Sequence, residues 1–375
     1  MVNKINKDIL IAGDGIVANL LIHLLGKNNF NTYQVSKKSK KSYNRVFAIT
    51  PANYLWLITV GLDQEILSQA HPIKKIKLFE GHSNQSIHMD AIESNKNILA
   101  YMIQESDLVD AISKLNSKAK TINVINNIEN KFDQIKVGSE KYKNFDLCIF
   151  TDQQRKQDLE SNFEFHKKEF NQTAITFNLK FAVGSDDTAY QFFFDDSTLA
   201  ILPFSKDEVS IVWSCQNKLH KELQEKSRNE FLEIFLARTN YLYKPVAGIT
   251  NQTSFPLSMS VSDTLHTKRF LIMGDAAHKI HPMAGQGLNL GLRDLRAFQL
   301  ALSERKSDDI GLNSFLKKYQ RKRLRDIKEF SFLTNQLNNL FLNDNDYIKK
   351  LIAKGFAFID KSKFIKSILI NRATS

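Results

Sequence analysis

Cysteine is scarce in this chain, and its two cysteines, Cys148 and Cys215, both lie in short apolar runs. Two isolated cysteines form neither a disulfide framework nor a thiolate metal cluster, so we expect core residues in a reducing compartment. The sequence also lacks any apolar run of ~18 residues, so no membrane-spanning helix is predicted. Residues 1–7 are polar and unlike a signal peptide, which favours a cytoplasmic protein.

Negative charge is in shorter supply than positive charge: 40 Asp and Glu stand against 52 Lys and Arg, for a net charge of +12. A basic excess is typical of proteins that bind nucleic acid or an anionic membrane surface. No helix-turn-helix, zinc or RNP-type motif accompanies it, so no nucleic-acid partner is expected. His278 and His281 are three residues apart but have no further partner at ligand spacing, so no metal is expected either.

The C-terminal tail is basic and amphipathic. Residues 348–356 alternate lysines with apolar side chains, and residues 364–370 add apolar surface. Such segments lie on anionic lipid in some proteins and pack against their own domain in others. Both interpretations stay open, and the first would place the protein peripherally on the inner face of the membrane.

The most informative stretch that is present runs from Gly274 to Asp294. An apolar strand, residues 270–273, leads into it, and a helix-like pattern, residues 288–300, leads out of it. Asp275 follows the strand end, where a carboxylate can accept hydrogen bonds from sugar-like hydroxyl groups. The order of strand, acid, loop and helix predicts a site for a phosphorylated ligand or a flat, electron-rich ring.

The loop within this run is suited to close contact with a ligand. Pro282 fixes the backbone and removes one donor, while Gly285 and Gly287 let the chain pass a ligand without an intervening side chain. The helix that follows offers unpaired N–H groups and the positive end of its dipole to negative charge.

A second signature lies near the start of the chain. The apolar run 8–12 precedes Gly13-x-Gly15-x-x-Ala18, and leucines at helical spacing follow it. This matches the Gly-x-Gly-x-x-Gly/Ala pattern, in which glycines admit a pyrophosphate and a small third residue lets helix and strand pack closely. An ordinary βα turn with convenient glycines would also match, so the position between strand and helix carries the prediction.

The stretch from Gly274 to Asp294 resembles the second flavin motif of the ubiquinone-biosynthesis hydroxylases (the UbiH/UbiF type), FAD-dependent aromatic monooxygenases related to para-hydroxybenzoate hydroxylase. Shorter stretches resemble the same family in the expected order: residues 72–76, 202–204, 212–214 and 255–260. The resemblance implies an α/β fold (α+β overall), with a Rossmann-like FAD-binding domain, an inserted, mostly antiparallel β-sheet substrate domain and a C-terminal helical segment.

The resemblance also implies an enzyme, a flavoprotein monooxygenase. FAD, reduced by NAD(P)H or another electron donor, would react with dioxygen, and an OH group would be transferred to an aromatic ring bearing a polyprenyl tail. The cofactor supplies the difficult chemistry and the protein positions it, so no catalytic residue is assigned. Other ubiquinone-biosynthesis proteins are candidate partners.

The resemblance places the cofactor on particular residues. Asp275 would hold the ribityl chain, and Arg45 would contact FAD. Ser36 stands where the dinucleotide pattern has an acid for the ribose, and Gln104 is the polar candidate on the turn where Ser106 replaces the family's arginine. Gln153 replaces a glycine, so we expect a loosely held cofactor. The complete predicted set is Gly13, Gly15, Ala18, Ser36, Arg45, Gln104, Asp275, Pro282, Gly285, Gln286, Gly287, Leu288 and Asn289.

Because one ligand must meet all these parts, the nucleotide-binding domain is expected to be discontinuous. We predict that residues 1–75, 98–165 and 265–330 form it, that 76–97 and 166–264 form the substrate domain, and that 331–375 form a helical segment.

Two other functions remain open. The substitutions at positions 36, 106 and 153 are compatible with a non-catalytic or weakly flavin-binding scaffold or lipid-binding subunit of a ubiquinone-synthesis complex. Another FAD enzyme of the same fold, a polyprenyl reductase or a different aromatic hydroxylase, is the second alternative.

Overall fold

A computed structural model of the chain describes residues 7–35, 45–81, 83, 85–115, 120–121, 128–131, 134–137, 141–143, 145–181, 186–281, 285–343 and 345–374. The strands within these ranges are β1 Asp8–Ala12, β2 Asn31–Val35, β3 Val46–Ile49, β4 His71–Ile73, β5 Lys75–Glu80, β6 Ser86–Asp90, β7 Ala100–Gln104, β8 Lys120–Thr121, β9 Ile128–Lys131, β10 Gln134–Val137, β11 Lys141–Lys143, β12 Leu147–Phe150, β13 Phe165–Lys180, β14 Thr188–Phe193, β15 Ser197–Pro203, β16 Glu208–Gln216, β17 Thr250–Ser262, β18 His266–Thr267, β19 Phe270–Ile272 and β20 His278–Lys279.

The helices in the same ranges are α1 Ile16–Lys27, α2 Pro51–Val60, α3 Gln64–Ser68, α4 Glu105–Leu115, α5 Lys156–Asn162, α6 Asn217–Gln224, α7 Arg228–Arg238, α8 Gly287–Ser303, α9 Asn313–Phe341, α10 Asp346–Lys361 and α11 Lys363–Thr374. None of these helices is both long and apolar enough to cross a membrane.

The first sheet has the strand order β18-β19-β12-β1-β2-β8, and its neighbours from β19 to β8 run parallel. Its central strands are buried along their whole length, as expected for a parallel sheet covered on both faces. In register, Ala12 stands beside Val35 and Phe150, and Phe150 stands beside Ile272. The carboxyl ends of four strands therefore meet at one edge, where ligands bind in sheets of this type.

The second large sheet has the order β20-β17-β13-β16-β15-β14-β5-β6 and is antiparallel apart from the β14–β5 pair. The apolar runs near residues 76, 174, 191 and 210 form its strands β5, β13, β14 and β16. One face packs on α6 and α7 around the fully buried Trp213. The fold class expected from the resemblance, including the mostly antiparallel inserted sheet, is confirmed.

The stretch that resembles a flavin motif, Gly274 to Asp294, lies at the junction of the two sheets. The short strand β20 pairs with Ser260 and Val261 of β17, while the preceding β19 belongs to the parallel sheet. A three-stranded sheet, β3-β7-β4, lies in the chain between these parts. The strands of the parallel sheet come from three separated regions of the sequence, and the division into a discontinuous domain and a substrate domain stays a prediction.

The C-terminal segment is helical, as predicted. Phe341 at the end of α9 stacks on Phe193 of β14, with ring centroids 3.8 Å apart, and Phe356 of α10 packs edge-on against the same ring. The segment therefore packs on the outer strands of the antiparallel sheet through one side of its helices.

Candidate functional site

The glycine loop after β1 is built for close approach. Gly13 has φ +134°, and a Cβ there would lie 2.2 Å from Thr151 Oγ1, so only glycine fits. Its N–H donates to Val35 O at 2.9 Å, which closes the turn. At Gly15, by contrast, a Cβ would meet nothing within 4 Å, and Ala18 is fully buried against the sheet. The loop thus leaves open space in front of α1.

The N-terminus of α1 carries no side-chain cap on Gly15, so its first N–H groups are available to an external acceptor. Together with the dipole of this helix, the open space before Gly15 suits a diphosphate. Gly13, Gly15 and Ala18, which are predicted to admit the pyrophosphate, lie at this helix end.

The N-terminus of α8 provides a second, similar end. Gly285 has φ +62°, Gln286 caps the helix without a side-chain hydrogen bond, and a Cβ at Gly287 would meet nothing within 4 Å. The Gln286 Oε1 atom is buried and has no partner among the described residues. Leu288 beside it is half-buried. This helix end can both donate to and accept from a polar ring edge.

Asn289 is buried in a clamp between α8 and the β3–α2 connection. Its Oδ1 accepts hydrogen bonds from Thr50 N at 2.9 Å and Asn53 Nδ2 at 3.0 Å, and its Nδ2 donates to Ala48 O at 2.7 Å. The side chain thus acts within the protein and holds the start of α8 in place.

The Asp275 carboxylate is exposed to solvent although protein atoms surround it densely on the remaining sides. An exposed group in so dense a setting lies in a recess. Its neighbour Gly274 lies against Val17 of α1 and donates a hydrogen bond to Asp294 of α8. The surrounding protein raises the pKa of this carboxyl above its ordinary value, and the charges of His278, Arg45 and Lys279 oppose that rise. A neighbour that donates hydrogen bonds would favour the ionised form.

Arg45 belongs to the same recess, since its charge acts on Asp275. Its guanidinium is paired with Glu105, Nε donating to Oε2 at 2.9 Å, and that pairing raises the pKa of the arginine. Glu105 is buried at the start of α4, yet 69 % of the Arg45 side chain is exposed. The ion pair thus aims a fixed cation at open space.

Three predicted positions remain, and the structure describes one of them. Gln104 is exposed at the end of β7, where it stands opposite Val46 in the sheet. Ser36 and Pro282 lie outside the described residues.

Sequence reasoning missed the role of Asp294, which is fully buried in α8. It accepts hydrogen bonds from Gly274 N at 2.8 Å, His278 Nε2 at 2.6 Å and Arg323 Nε at 2.7 Å. These contacts outweigh burial and lower the pKa of the carboxyl to about 2. Asp294 therefore ties both flanks of Asp275 to α8 and α9. Its signal was its place in the motif, since helix residues buried beside a glycine turn often fix that turn.

His281 is buried one residue before the Pro282 position. Its Nε2 lies 3.2 Å from Gln172 Oε1 of β13, and its ring meets Phe170 edge-on at 4.8 Å. Burial and the charge of Lys168 lower its pKa to about 4, so the ring is neutral at physiological pH. His281 therefore packs between the motif and β13. Within the described ranges, no group of His, Cys, Asp or Glu is suited to hold a metal ion.

Comparison with known proteins agrees with this geometry. The family model described as "FAD binding domain" matches residues 154–330. The ubiquinone biosynthesis monooxygenase COQ6 of Caenorhabditis elegans is 24 % identical, over 97 % of this chain and 95 % of its own length. The ubiquinone hydroxylase UbiL of Rhodospirillum rubrum is 24 % identical over 98 % and 89 %. The 3-demethoxyubiquinol 3-hydroxylase of Escherichia coli is 25 % identical over 85 % and 86 %.

Solved structures show the same fold. PqsL of Pseudomonas aeruginosa, crystallised with 2-aminobenzoylacetate, superposes with a TM-score of 0.78 at 18 % identity, over 93 % of this chain and 99 % of that one. The p-nitrophenol 4-monooxygenase PnpA of Pseudomonas putida gives a TM-score of 0.77 at 15 % identity, over 98 % of both chains. Residues 154–330 thus match an FAD binding domain, and nearly the whole chain is similar to ubiquinone-biosynthesis monooxygenases and hydroxylases; the chain is a flavoprotein monooxygenase.

Proposed function

We propose that this enzyme hydroxylates the aromatic ring of a polyprenylated phenol or quinone precursor in ubiquinone biosynthesis. It would use FAD, dioxygen and NAD(P)H or another electron donor. The observation that carries the proposal is the exposed Asp275 carboxylate in a recess of the motif whose next helix, α8, begins uncapped. The names of relatives that cover nearly the whole chain support the substrate class.

The described residues fit FAD, and each has a part in holding it. The uncapped end of α1 would bind the diphosphate, and Asp275 would accept hydrogen bonds from the ribityl hydroxyls. The end of α8, with the unpaired Gln286 Oε1, would face the polar edge of the flavin ring. Arg45, fixed by Glu105, would add positive charge. When bound, FAD supplies the activation of dioxygen, and the protein orients it and limits its contact with water.

Deleting the gene and identifying the quinone precursor that accumulates tests the function directly. We expect a polyprenylated ring that lacks one hydroxyl group, and restoration of the quinone by the wild-type gene. Unchanged quinone levels in the deletion strain would refute the proposed substrate. The missing hydroxyl would also give the ring position that the enzyme hydroxylates.

The purified protein distinguishes an enzyme from a scaffold subunit. We expect a yellow protein from which FAD is released on denaturation. A colourless protein that fails to bind added FAD would instead support the non-catalytic alternative.

We further propose that the protein binds to an anionic membrane surface through its C-terminal helices, and takes its apolar, polyprenylated substrate from there. More than half of the large exposed apolar side chains in the described ranges lie between residues 332 and 369. On α10, Tyr347, Leu351 and Phe358 recur at helical spacing, so they share a face. Exposed lysines lie among them on the same face: Lys350, Lys354 and Lys361.

Charge favours lipid over a second copy of the chain as the occupant of this face, because a protein of net charge +12 repels itself. Apolar side chains interleaved with lysines are typical of helices that lie in a lipid interface. The part of each helix that packs inward, through Phe356 and Ile370, leaves this opposite face uncovered by the described chain.

Vesicle flotation tests the surface. We expect the wild-type chain to float with vesicles that contain anionic lipid and to stay behind with neutral ones. The double variant Leu351→Asp, Phe358→Asp should lower the bound fraction at least tenfold, because each buried side chain contributes about 1.5–3 kcal/mol. The exposed Val246, replaced by Asp, is the matched control. Equal flotation of both variants, or concentration-dependent dimers without lipid, would contradict the proposal.

A further inference from the structure

One face of the antiparallel sheet, the face opposite α6 and α7, carries buried polar atoms without partners. Gln172 of β13 shows that this face meets the motif around Asp275, because its Oε1 atom lies 3.2 Å from His281 Nε2. The Nε2 atom of Gln172 is buried and has no hydrogen-bond partner among the described residues. The Oγ1 atom of Thr198 on β15 is buried and unpaired in the same part of the chain.

Strand register brings Gln172 and Thr198 onto the same side of the sheet. Ala174, two residues after Gln172, stands opposite Ser214 of β16, and Ser214 stands opposite Thr198. Alternate residues of a strand share a face, and residues paired across strands point to the same side. The row that starts at Ala174 ends at Phe193 of β14, the register partner of Thr198. All these side chains therefore lie on the side of the motif.

The last turns of α9 cross this row. Asn335 Oδ1 accepts a hydrogen bond from Lys168 Nζ of β13 at 2.6 Å. Two turns later, Phe341 stacks on Phe193 at the other end of the row. Asn338 lies between these contacts, is 2 % exposed, and has a buried Oδ1 atom without a partner within the described ranges. A layer of unpaired polar atoms thus lies between the sheet and α9.

Such a layer is unfavourable in the ligand-free protein. A buried polar atom without a partner loses the hydrogen bonds that it makes in water, so interiors seldom keep one unless a ligand or an ordered water satisfies it. The next row of the same face, in which Thr176 stands opposite Val212, is half-buried. The open side of the layer is therefore the middle of the sheet, beside the motif.

We propose that Gln172 Nε2, Thr198 Oγ1 and Asn338 Oδ1 bind the oxygen substituents of the aromatic ring that the enzyme hydroxylates. The amide N–H of Gln172 donates to a ring oxygen, the Asn338 oxygen accepts from a ring hydroxyl, and the Thr198 hydroxyl can do either. A site of this kind discriminates against a ring that lacks the oxygens, because its own polar atoms then stay unpaired. The inference rests on the aromatic substrate class proposed above.

Titration of the FAD-loaded protein with methoxyhydroquinone tests these contacts. This ring has two hydroxyl groups and one ether oxygen but no polyprenyl tail, and the change in flavin absorbance gives its Kd. Thr198→Val and Asn338→Leu nearly keep the shape of the native side chains. Each should raise the Kd about two- to tenfold, the size of one neutral hydrogen bond. Toluene, which has no oxygen, should bind the variants no more weakly than the wild type.

Stability separates a ligand contact from a structural role. Because the Thr198 and Asn338 oxygens lack partners among the described residues, both variants should raise the unfolding temperature of the substrate-free protein. Thr239→Val is the matched control, since this buried hydroxyl at the end of α7 donates to Phe235 O at 3.0 Å. Its loss should lower the unfolding temperature and leave the Kd unchanged.

Two results would overturn the assignment. The first is a Kd for methoxyhydroquinone that neither variant changes, whether or not the unfolding temperature falls, since that would limit Thr198 and Asn338 to structure or ordered water. The second is a wild type that holds FAD but does not bind this ring. Both leave the proposed substrate class standing, because the precursor that accumulates in the deletion strain tests that class separately.

Discussion

Replacing Asp275 with alanine should remove most bound FAD and most hydroxylase activity. Its carboxylate is exposed in the recess, and among the described residues no hydrogen bond reaches it, so it is available to a ligand. A hydrogen bond to a charged group contributes about 1.5–3 kcal/mol, which predicts a rise of ten- to hundredfold or more in the Kd for FAD. Flavin fluorescence gives the Kd, and flavin content after gel filtration gives retention.

The unliganded variant should fold at least as well as the wild type, which separates loss of cofactor from loss of structure. In the flavin-free protein the pKa of Asp275 is raised, so its ionised form opposes folding at pH values above that pKa. Removing it should therefore leave the unfolding temperature of the flavin-free chain unchanged or higher. Asp275→Asn keeps a hydrogen-bond acceptor but not the charge, so its Kd for FAD should lie between those of the wild type and Asp275→Ala. Full flavin content and full activity in Asp275→Ala would contradict the proposal that Asp275 binds FAD.

The sequence predicted the elements of this site better than their partners. Gly13 and the motif around Asp275 were recognisable because local chemistry fixes them: a tight turn after a buried strand leaves few alternatives to glycine. The Asn289 clamp was not, because its partners at Ala48, Thr50 and Asn53 are more than 230 residues away in the chain. Nothing local to Asn289 distinguishes a side chain that contacts a ligand from one that positions the helix.

Glu105 illustrates the same limit in electrostatics. The sequence marked Arg45 as a cofactor contact and noted that Ser106 replaces an arginine, but the adjacent Glu105 drew no prediction. Its burial and its pairing with Arg45 arise because β3 and β7 lie side by side, with Val46 opposite Gln104. A charge partner set by strand register is invisible until the register is known.

The largest effect on stability is expected from Asp294→Ala. The carboxylate is fully buried and accepts hydrogen bonds from three donors. One of them, Arg323, is itself only 5 % exposed. Removing the common acceptor leaves the buried N–H donors of Gly274 and His278 without it, and leaves Arg323 with the more exposed Asp326 as its counter-charge. We therefore expect a cost of about 3 kcal/mol, at the lower end of the range for a broken buried pair. The free energy of unfolding from urea titration of the flavin-free chain should fall by about that amount. Flavin binding should weaken as well, since Gly274 N and His278 lose their common acceptor.

Asp326→Asn is the matched control, because Asp326 pairs with the same Arg323 but its side chain is 36 % exposed. Because water reaches the Asp326 side chain, its charge is partly screened, so this variant should lose about 1 kcal/mol of stability. Variants at Asp294 and Asp326 should also differ in how their stability depends on pH in acid. Folding lowers the pKa of Asp294 from 3.8 to about 2, so its stabilisation is complete above pH ~4 and is lost as the pH falls towards 2. Asp294→Asn should lack this loss over that interval, whereas Asp326→Asn should keep it. Equal destabilisation by the alanine variant at Asp294 and the asparagine variant at Asp326 would show that Asp294 is not the residue that holds the motif to α8 and α9.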